Sequence, residues 1–192
     1  MLSVRLHGRG GQGAVTAANI LALAAYLEGY QVRANPFYGP ERRGAPVAAF
    51  VRIDQQPIRL KSQIYQPDCI MVLDARLPHV INVLNGLKPG GTAIFNSPLF
   101  PEELPGMEQV GQIAVVDANN IAKEILGAPI TNTAMVGAFA RAYPIITLTA
   151  IKEAIHKNFP DDKQAELNFR AASAAYDKAR IKRLEVNITL SH

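Results

Sequence analysis

The sequence predicts an α/β fold with three layers built around a mostly parallel sheet. Short apolar strands alternate with helical segments along most of the chain. A glycine-rich turn, residues 7–13, joins the first strand to an alanine-rich helix. Two helical segments with no strand between them follow at 149–159 and 161–183. This order of elements indicates a Rossmann-like domain with a C-terminal helical flank.

The first unit is a strand, a glycine turn, a helix and a second strand. Apolar and polar residues alternate over 2–7, which predicts the first strand. Apolar residues at helical spacing predict a helix over 13–29, with Gly29 as its stop. A short strand is expected at 31–35.

The middle of the chain is expected to contain strands separated by loops. Prolines and glycines predict an exposed loop over 35–46, followed by a strand at 47–53 and an edge strand at 58–60. The continuous apolar run at 69–74 predicts a strand buried on both faces. Residues 78–87 have a helical pattern.

The second half returns to strands and helices. A Pro-Gly-Gly turn introduces a strand at 92–96, and another strand is expected at 113–116. Asp117 is a plausible N-cap for the helix after it, which Gly127 ends. Either Asn132 or Thr133 is expected to cap the next helix.

Size and charge restrict the class of protein. The chain has 192 residues, 48% of them hydrophobic, so residues 1–192 are expected to form a single domain. The 20 basic residues exceed the 16 acidic ones by only four, and no basic run is interleaved with aromatics, which argues against nucleic-acid binding. No signal-peptide pattern or long apolar run occurs, so we expect a cytoplasmic protein that does not bind to a membrane.

The turn after the first strand is the candidate binding site. Gly8, Gly10 and Gly13 fit the G-x-G-x-x-G pattern, which provides a tight turn, a bare backbone for a ligand and close packing of helix on strand. Backbone N–H groups at the helix start would face an anion. The candidate residues of the turn are Gly8, Arg9, Gly10, Gly11, Gln12 and Gly13.

Residues beyond the turn indicate what kind of phosphate ligand to expect. A nicotinamide dinucleotide site needs an acid about 20 residues further on, and this chain has Arg33-Ala34-Asn35 there instead. Because Arg33 could favour a ribose phosphate, a stand-alone NADP-dependent reductase is one alternative. Arg42 and Arg43 are either a solvated surface pair or a phosphate-binding pair, since guanidinium groups match phosphate oxygens.

The sequence predicts neither catalytic residues nor a metal site. Cys69 lies in an apolar strand and is expected to be a small core residue. His7 ends a strand beside the turn, so it could contact a ligand, but satisfying a backbone group is the more common role of such a residue. A single cysteine excludes an intrachain disulfide and a four-cysteine iron–sulfur cluster within this chain. We therefore expect a binding subunit that completes the active site of another chain.

Four segments resemble the gamma subunits of 2-oxoacid:ferredoxin oxidoreductases, particularly the pyruvate and ketoisovalerate type. The segments are RLHGRGGQGAVTAA (5–18), FYGPERRGAPV (37–47), PIRLKSQIY (57–65) and NTAMVGAF (132–139). The resemblance implies a complex that oxidatively decarboxylates a 2-oxoacid, most readily pyruvate, with coenzyme A and passes two electrons to ferredoxin. It also implies partner subunits of the alpha, beta and delta types, which carry thiamine diphosphate, magnesium and the iron–sulfur clusters.

The same resemblance implies that the gamma subunit helps to bind coenzyme A. Residues 8–13 would hold the diphosphate, Arg42 and Arg43 would meet phosphate charge, and Arg9 would reach either the ligand or a partner. Asn132 would hydrogen-bond the cofactor or cap its own helix. A purely structural assembly subunit is the remaining alternative.

Overall fold

The computed structural model describes residues 1–36 and 44–186. In this part of the chain seven strands form one sheet in the order β2-β3-β1-β4-β5-β6-β7. The strands are β1 (Leu2–Arg9), β2 (Gln31–Pro36), β3 (Pro46–Asp54), β4 (Cys69–Val72), β5 (Gly91–Asn96), β6 (Val110–Val116) and β7 (Arg180–Arg183). The helices are α1 (Ala14–Leu27), α2 (Ala118–Leu126), α3 (Asn132–Ala142), α4 (Leu148–Asn158) and α5 (Asp162–Lys178).

The sheet is mixed, with most strands pointing the same way. β1, β4, β5 and β6 are parallel neighbours, whereas β3 is antiparallel to β1, β2 to β3, and β7 to β6. Five strands, β1, β2, β4, β5 and β6, therefore share one direction. The mostly parallel sheet is confirmed, with antiparallel strands towards its two edges.

Three layers result from the alternation of side chains along the central strands. One face packs against all five described helices, through residues such as Leu6, Val51 and Met71. The other face, which includes Val72 and Phe95, is covered by irregular segments from the loops after β4 and β5. None of the described helices is long and apolar enough to cross a membrane.

The helices begin and end where cap residues place them. Gly13 adopts a left-handed conformation before α1, and Asp117 caps α2 by accepting a hydrogen bond from the Asn120 N–H at 3.0 Å. Gly127, with φ of 71°, ends α2 as expected. α4 and α5 pack against each other and against α1 and α3 on the helical face, which confirms the C-terminal helical flank.

The helix expected at 78–87 is wrong. Only a single 3₁₀ turn forms, at Leu77–His79, and irregular turns follow. The Asn82 side chain accepts a hydrogen bond from the Leu84 N–H at 3.2 Å, which favours a local turn over a helix. Gly86 has φ of 75°, a left-handed conformation that also interrupts a helix. The apolar residues that produced the helical spacing are nonetheless buried against the sheet.

Two further expectations about secondary structure are wrong. Residues 58–60 have no regular secondary structure and pair with no strand. The last helix ends at Lys178 rather than 183, because Ala179 turns to an extended conformation and Arg180–Arg183 joins the open edge of β6 as β7. Pairing of this kind depends on distant residues, so helical periodicity does not reveal it.

The contact between α3 and α5 predicts one sensitive position. A Cβ on Gly137 would lie 1.9 Å from the backbone oxygen of Ala172, so only glycine lets these helices approach so closely. We expect Gly137→Ala to lower the free energy of unfolding by about 3 kcal/mol, although alanine is the better helix former. Chemical denaturation of the isolated chain measures this.

Gly90→Ala is the control, because nothing lies within 4 Å of its added Cβ. It carries only the cost of a left-handed alanine, about 1–2 kcal/mol. Equal stability of the Gly137→Ala variant and the parent chain would contradict the close approach of α3 and α5.

Candidate functional site

The candidate site lies at the edge of the sheet where the parallel strands end. β1 leads into the turn before α1, β4 continues to Asp74, β5 ends at Asn96, and β6 leads into α2. The Leu73 carbonyl, just after β4, joins the end of β5 to the start of α3, since it accepts hydrogen bonds from Asn96 Nδ2 at 2.7 Å and from Thr131 Oγ1 at 3.3 Å. Ligands of α/β proteins bind at this edge of the sheet.

Glycine is required in the turn for two different reasons. Gly11 and Gly13 have φ of 88° and 77°, conformations that other residues rarely adopt. A Cβ on Gly13 would also lie 2.6 Å from Asn132 Nδ2. Gly8 is limited by packing, because its Cβ would lie 3.1 Å from the Cβ of Ala14 at the start of α1.

Only some N–H groups of the turn are available to a ligand. The Arg9 N–H donates to Gln12 Oε1 at 2.9 Å, the Gly10 N–H to the Ala45 carbonyl at 2.9 Å, and the Gln12 N–H to the Arg9 carbonyl at 3.0 Å. Among the described residues, no acceptor meets the N–H groups of Gly11, Gly13 or Ala14, and no side chain caps α1. The anion-facing part of the turn is therefore its second half and the first turn of α1.

A buried carboxylate holds the turn in shape. Asp74, 5% exposed, accepts hydrogen bonds from Gln12 Nε2 at 2.7 Å, from Arg9 Nε at 3.1 Å and from the Arg76 N–H at 2.8 Å. Arg9 also donates to the Gly44 carbonyl at 3.1 Å. The side chains of Arg9 and Gln12 are thus hydrogen-bonded within the chain, and they stabilise the conformation of the turn.

Asp74 is ionised in this setting. Burial raises the pKa of its carboxyl, but the hydrogen bonds from Gln12 and from the Arg76 backbone, with the charges of Arg9 and Arg76, bring the pKa below its ordinary value. The carboxylate therefore balances part of the positive charge around the turn.

Asn132 lies beside the turn as its first helical residue, not as a cap. Thr131 occupies the N-cap position of α3, so the expectation that Asn132 or Thr133 caps this helix is wrong. The Asn132 side chain is buried, and its Oδ1 accepts a hydrogen bond from the Thr133 N–H at 2.8 Å. Its Nδ2 faces Gly13 and has no acceptor among the described residues.

Two basic side chains near the turn, Arg76 and Lys123, were not predicted from the sequence. A cleft of about 330 Å³ adjoins the turn, and its lining includes Gln12, Asp74, Arg76, Asn119 and Lys123. An acid at the end of a buried strand was a usable signal for Asp74. Nothing local in the sequence connects Lys123 of α2 with the turn. Arg42 and Arg43 lie outside the described residues.

Arg33 lies far from the turn, which weakens the NADP alternative. β3 lies between β1 and β2, and Arg33 pairs across the strands with Arg52, which pairs with Ser3 at the start of β1. Ser3 is six residues before Arg9, so Arg33 is about 20 Å from the turn along the strand direction. It cannot contact the ribose phosphate of a dinucleotide bound there.

The two residues considered for nucleophilic or acid–base chemistry are structural. Cys69 is fully buried, and burial raises the pKa of its thiol. His7 accepts a hydrogen bond from Arg5 Nε at 3.0 Å, while burial and the Arg5 charge lower its pKa to about 3. Its ring is therefore neutral at physiological pH.

The fold and the turn place this chain in the Rossmann-like α/β class, and comparisons narrow the class. Residues 3–178 match the family model described as pyruvate ferredoxin/flavodoxin oxidoreductase. The chain is 52% identical over 185 residues to the pyruvate/ketoisovalerate oxidoreductases common subunit gamma of Pyrococcus furiosus, covering 94% of this chain and 98% of that one.

Two solved structures share the fold. Pyruvate oxidoreductase subunit PORC from Thermotoga maritima is 34% identical, with a TM-score of 0.79 and coverage of 95% of this chain and 98% of that one. The 2-oxoglutarate:ferredoxin oxidoreductase from Magnetococcus marinus, solved with 2-oxoglutarate, coenzyme A and succinyl-CoA bound, is 20% identical. Its TM-score is 0.74, and the match covers 92% of this chain and 31% of that one, which shows a common fold. The chain therefore belongs to the pyruvate ferredoxin/flavodoxin oxidoreductase family, as a gamma subunit of an oxidoreductase complex.

The contacts of Asp74 predict a pH-dependent loss of stability in Asp74→Asn. Removing the charge weakens the hydrogen bonds from Arg9 and Gln12, and we expect the free energy of unfolding to fall by about 2–3 kcal/mol at pH 7. The folded-state pKa is lower than the unfolded value of about 3.9, so the contribution is fully present above that value. It is lost as the pH falls from about 4 through the folded-state pKa.

Urea titrations of both chains between pH 7 and pH 3 measure this difference. Asp177→Asn is the matched control, since Asp177 is exposed, and it should change stability by less than about 0.5 kcal/mol. A stability difference for Asp74→Asn that stays constant down to pH 3 would show that the carboxylate charge does not hold the turn.

Proposed function

We propose that this chain is the gamma subunit of a cytoplasmic pyruvate:ferredoxin oxidoreductase and that it helps to bind coenzyme A. The complex would convert the 2-oxoacid and coenzyme A to acyl-CoA and CO₂ and pass two electrons to ferredoxin. The observation that carries the proposal is the uncapped start of α1 at the carboxyl edge of the sheet, where the N–H groups of Gly11, Gly13 and Ala14 have no acceptor among the described residues. We further propose that residues 1–192 act as one domain.

The diphosphate of coenzyme A suits this position. Backbone N–H groups at a helix start bind phosphate oxygens without a charged side chain, and the helix dipole favours negative charge there. Asn132 Nδ2, beside Gly13, would add one donor. Because Gly13 has no Cβ, the ligand can approach both the backbone and this amide.

Positive charge around the turn suits the remaining phosphate of coenzyme A. Arg76 and Lys123 line the adjoining cleft, and the Arg76 side chain is 79% exposed. We propose that these two residues, together with Arg42 and Arg43, meet the ribose 3′-phosphate and the outer diphosphate oxygens. Coenzyme A needs no acid for a free pair of ribose hydroxyls, which agrees with the absence of an acid over residues 31–36.

The framework of the turn supports binding by being formed in advance. Asp74 fixes Arg9 and Gln12, and the backbones of Gly10 and Gly44 pair through the Gly44 N–H and the Gly10 carbonyl at 3.1 Å. A preformed turn loses little conformational entropy when a ligand binds. We propose that Arg9 acts in this framework, with Gly8 and Gly10, and that Gly11 and Gly13 donate to the ligand.

The names of relatives support the choice of substrates. The Pyrococcus furiosus relative is named for pyruvate and ketoisovalerate, the Thermotoga maritima relative for pyruvate, and the Magnetococcus marinus enzyme was solved with coenzyme A bound. We propose that subunits of the alpha, beta and delta types hold thiamine diphosphate, magnesium and the iron–sulfur clusters, and that they select the 2-oxoacid.

Gly13→Ala tests the turn directly. An alanine there must adopt a left-handed φ and displace the Asn132 amide, so the assembled complex should show an apparent KM for coenzyme A raised about tenfold or more. The KM for the 2-oxoacid should stay unchanged. Gly29→Ala is the control, because it places alanine at φ of 88° at the other end of α1 with nothing within 4 Å.

Weaker assembly with an unchanged KM for coenzyme A would support the alternative of a purely structural subunit, whose glycine turn contacts another chain. Steady-state kinetics combined with native mass spectrometry of the complex distinguishes the two results.

A double substitution tests the two arginines that lie outside the described residues. Arg42→Ala with Arg43→Ala should weaken the apparent affinity of the complex for coenzyme A by about tenfold or more, since each phosphate contact contributes about 1.5–3 kcal/mol. Lys163→Ala with Arg170→Ala removes the same charge from the exposed side of α5 and serves as the control. Equal affinities in both double variants would show that Arg42 and Arg43 bind no phosphate.

A further inference from the structure

Two arginines lie side by side on the sheet with no carboxylate between them. Arg33 of β2 and Arg52 of β3 are directly opposed across the strands. Their neighbours along β3, Val51 and Ile53, point into the helical core, so both arginines lie on the sheet face opposite the helices. Arg52 is 5% exposed, and Arg33 is partly buried.

The acids near this pair are already engaged. Asp54, two residues beyond Arg52, contacts the amino group of Met1 at 3.1 Å. Asp68 contacts Lys88 Nζ at 2.6 Å. Within residues 1–36 and 44–186, no carboxylate lies within ion-pair distance of either arginine.

The guanidinium groups of Arg33 and Arg52 differ in the hydrogen-bond acceptors available to them. Arg52 donates to the carbonyls of Ser62 at 2.8 Å and Gln63 at 3.3 Å. Arg33 Nε is buried and has no hydrogen-bond acceptor in the described part of the chain. By contrast, Arg5 on the same face has acceptors within the chain, because it donates to two backbone carbonyls and to His7.

This arrangement is costly without an anion. Burial, followed by the charge of Arg33, lowers the pKa of Arg52. A buried N–H without an acceptor and two like charges in adjacent positions both oppose folding. A carboxylate placed beside the two guanidinium groups would balance their like charges.

The surroundings of the pair indicate a macromolecular partner. The irregular segment 57–63 contacts this face and is held there by Arg52 and by Asn35, whose Nδ2 donates to the Lys61 carbonyl at 3.1 Å. Leu60 and Tyr65 are 51% and 72% exposed, and residues 55–67 contain Arg59 and Lys61 but no acid. We define the arginine face as Arg33, Arg52, Arg59, Leu60, Lys61 and Tyr65.

We propose that the arginine face docks an acidic segment of another subunit of the oxidoreductase complex, with one carboxylate accepting hydrogen bonds from Arg33 and sharing its charge with Arg52. A free inorganic anion would leave Leu60 and Tyr65 exposed, whereas a polypeptide would cover them. Arg33 and Arg52 lie about 20 Å from the glycine turn along the strands, so the carboxylate position is separate from the proposed coenzyme A site. Segment 57–65 is also one of the four that carry the family resemblance, and the phosphate site gives it no role.

Charge reversal in the intact complex tests this interface. Arg33→Glu should weaken the association of the gamma subunit with the other subunits about 30-fold or more, measured by mass photometry of the diluted complex. Arg170→Glu, an exposed arginine on the helical side, makes the same charge change and should leave the association unchanged. In complexes kept at concentrations where they remain assembled, the KM for coenzyme A should not change in either variant.

A second variant identifies the partner group and does not depend on a disruptive substitution. Arg33→Lys keeps the positive charge and introduces an amine, which a zero-length carbodiimide joins to a carboxylate in direct contact. We expect a cross-link from position 33 to an Asp or Glu of another subunit, detected by mass spectrometry of the intact, treated complex.

Three results would overturn the proposal. The first is equal association of the Arg33→Glu, Arg170→Glu and parent chains. The second is a cross-link from position 33 to Glu41 of the same chain, which lies outside the described residues, together with a Glu41→Gln variant that dissociates as Arg33→Glu does. The third is thermal stabilisation of the isolated parent chain by inorganic sulfate that is absent in Arg33→Glu, combined with unchanged assembly.

Discussion

The buried carboxylate of Asp74 is the interaction on which the candidate site depends. It joins the end of β4 to the turn after β1 through Gln12 and Arg9, which are 62 and 65 residues from Asp74 in sequence. Without this link, the two left-handed glycines would leave the turn free to adopt other conformations, because glycine restricts the backbone least. With it, the turn that carries the N–H groups of Gly11, Gly13 and Ala14, unpaired in the described part of the chain, is formed before any ligand arrives. The charge of Asp74 also offsets part of the positive charge of Arg9 and Arg76.

The position of β3 is the second constraint, and it determines what the turn can bind. In a dinucleotide-binding domain, the second strand lies next to the first and its end reaches the ribose. Here β3 separates β1 from β2 by one strand width, about 4.8 Å beyond the usual spacing. The antiparallel register also places Arg33 at the opposite end of the sheet from the turn. The glycine pattern is therefore kept while the ribose-recognising position is lost, which favours a ligand held mainly through its phosphates.

Local features of the sequence predicted local features of the structure. The alternation in β1, the turn at Gly11 and Gly13, and the Asp117 cap all depend on neighbouring residues, and the structure contains each of them. The errors occurred where distant contacts decide the conformation. Residues 78–87 have helical spacing because Val83, Leu84 and Leu87 pack on the sheet, yet Gly86 and the Asn82 turn prevent a helix. Strand β7 exists because β6 offers an open edge, which no pattern within 161–183 encodes. The spacing of Arg33 from the glycine turn indicates a ribose phosphate only in a fold where β2 lies beside β1, and here β3 lies between them.

The two ends of the sheet differ in how their charges are balanced, and this difference bears on how the chain works within a complex. At the glycine turn, Asp74 balances Arg9 and Arg76 inside the chain, so the ligand site needs no partner to take its shape. At the arginine face, Arg33 and Arg52 have no described counter-ion, so that region is less stable alone than when an acidic group covers it. A partner that binds only the folded chain stabilises it in proportion to its affinity. Under the two proposals, assembly would stabilise the end of the sheet that holds the subunit in place, while the ligand end stays preformed. The chain would then present coenzyme A to an active site on another subunit.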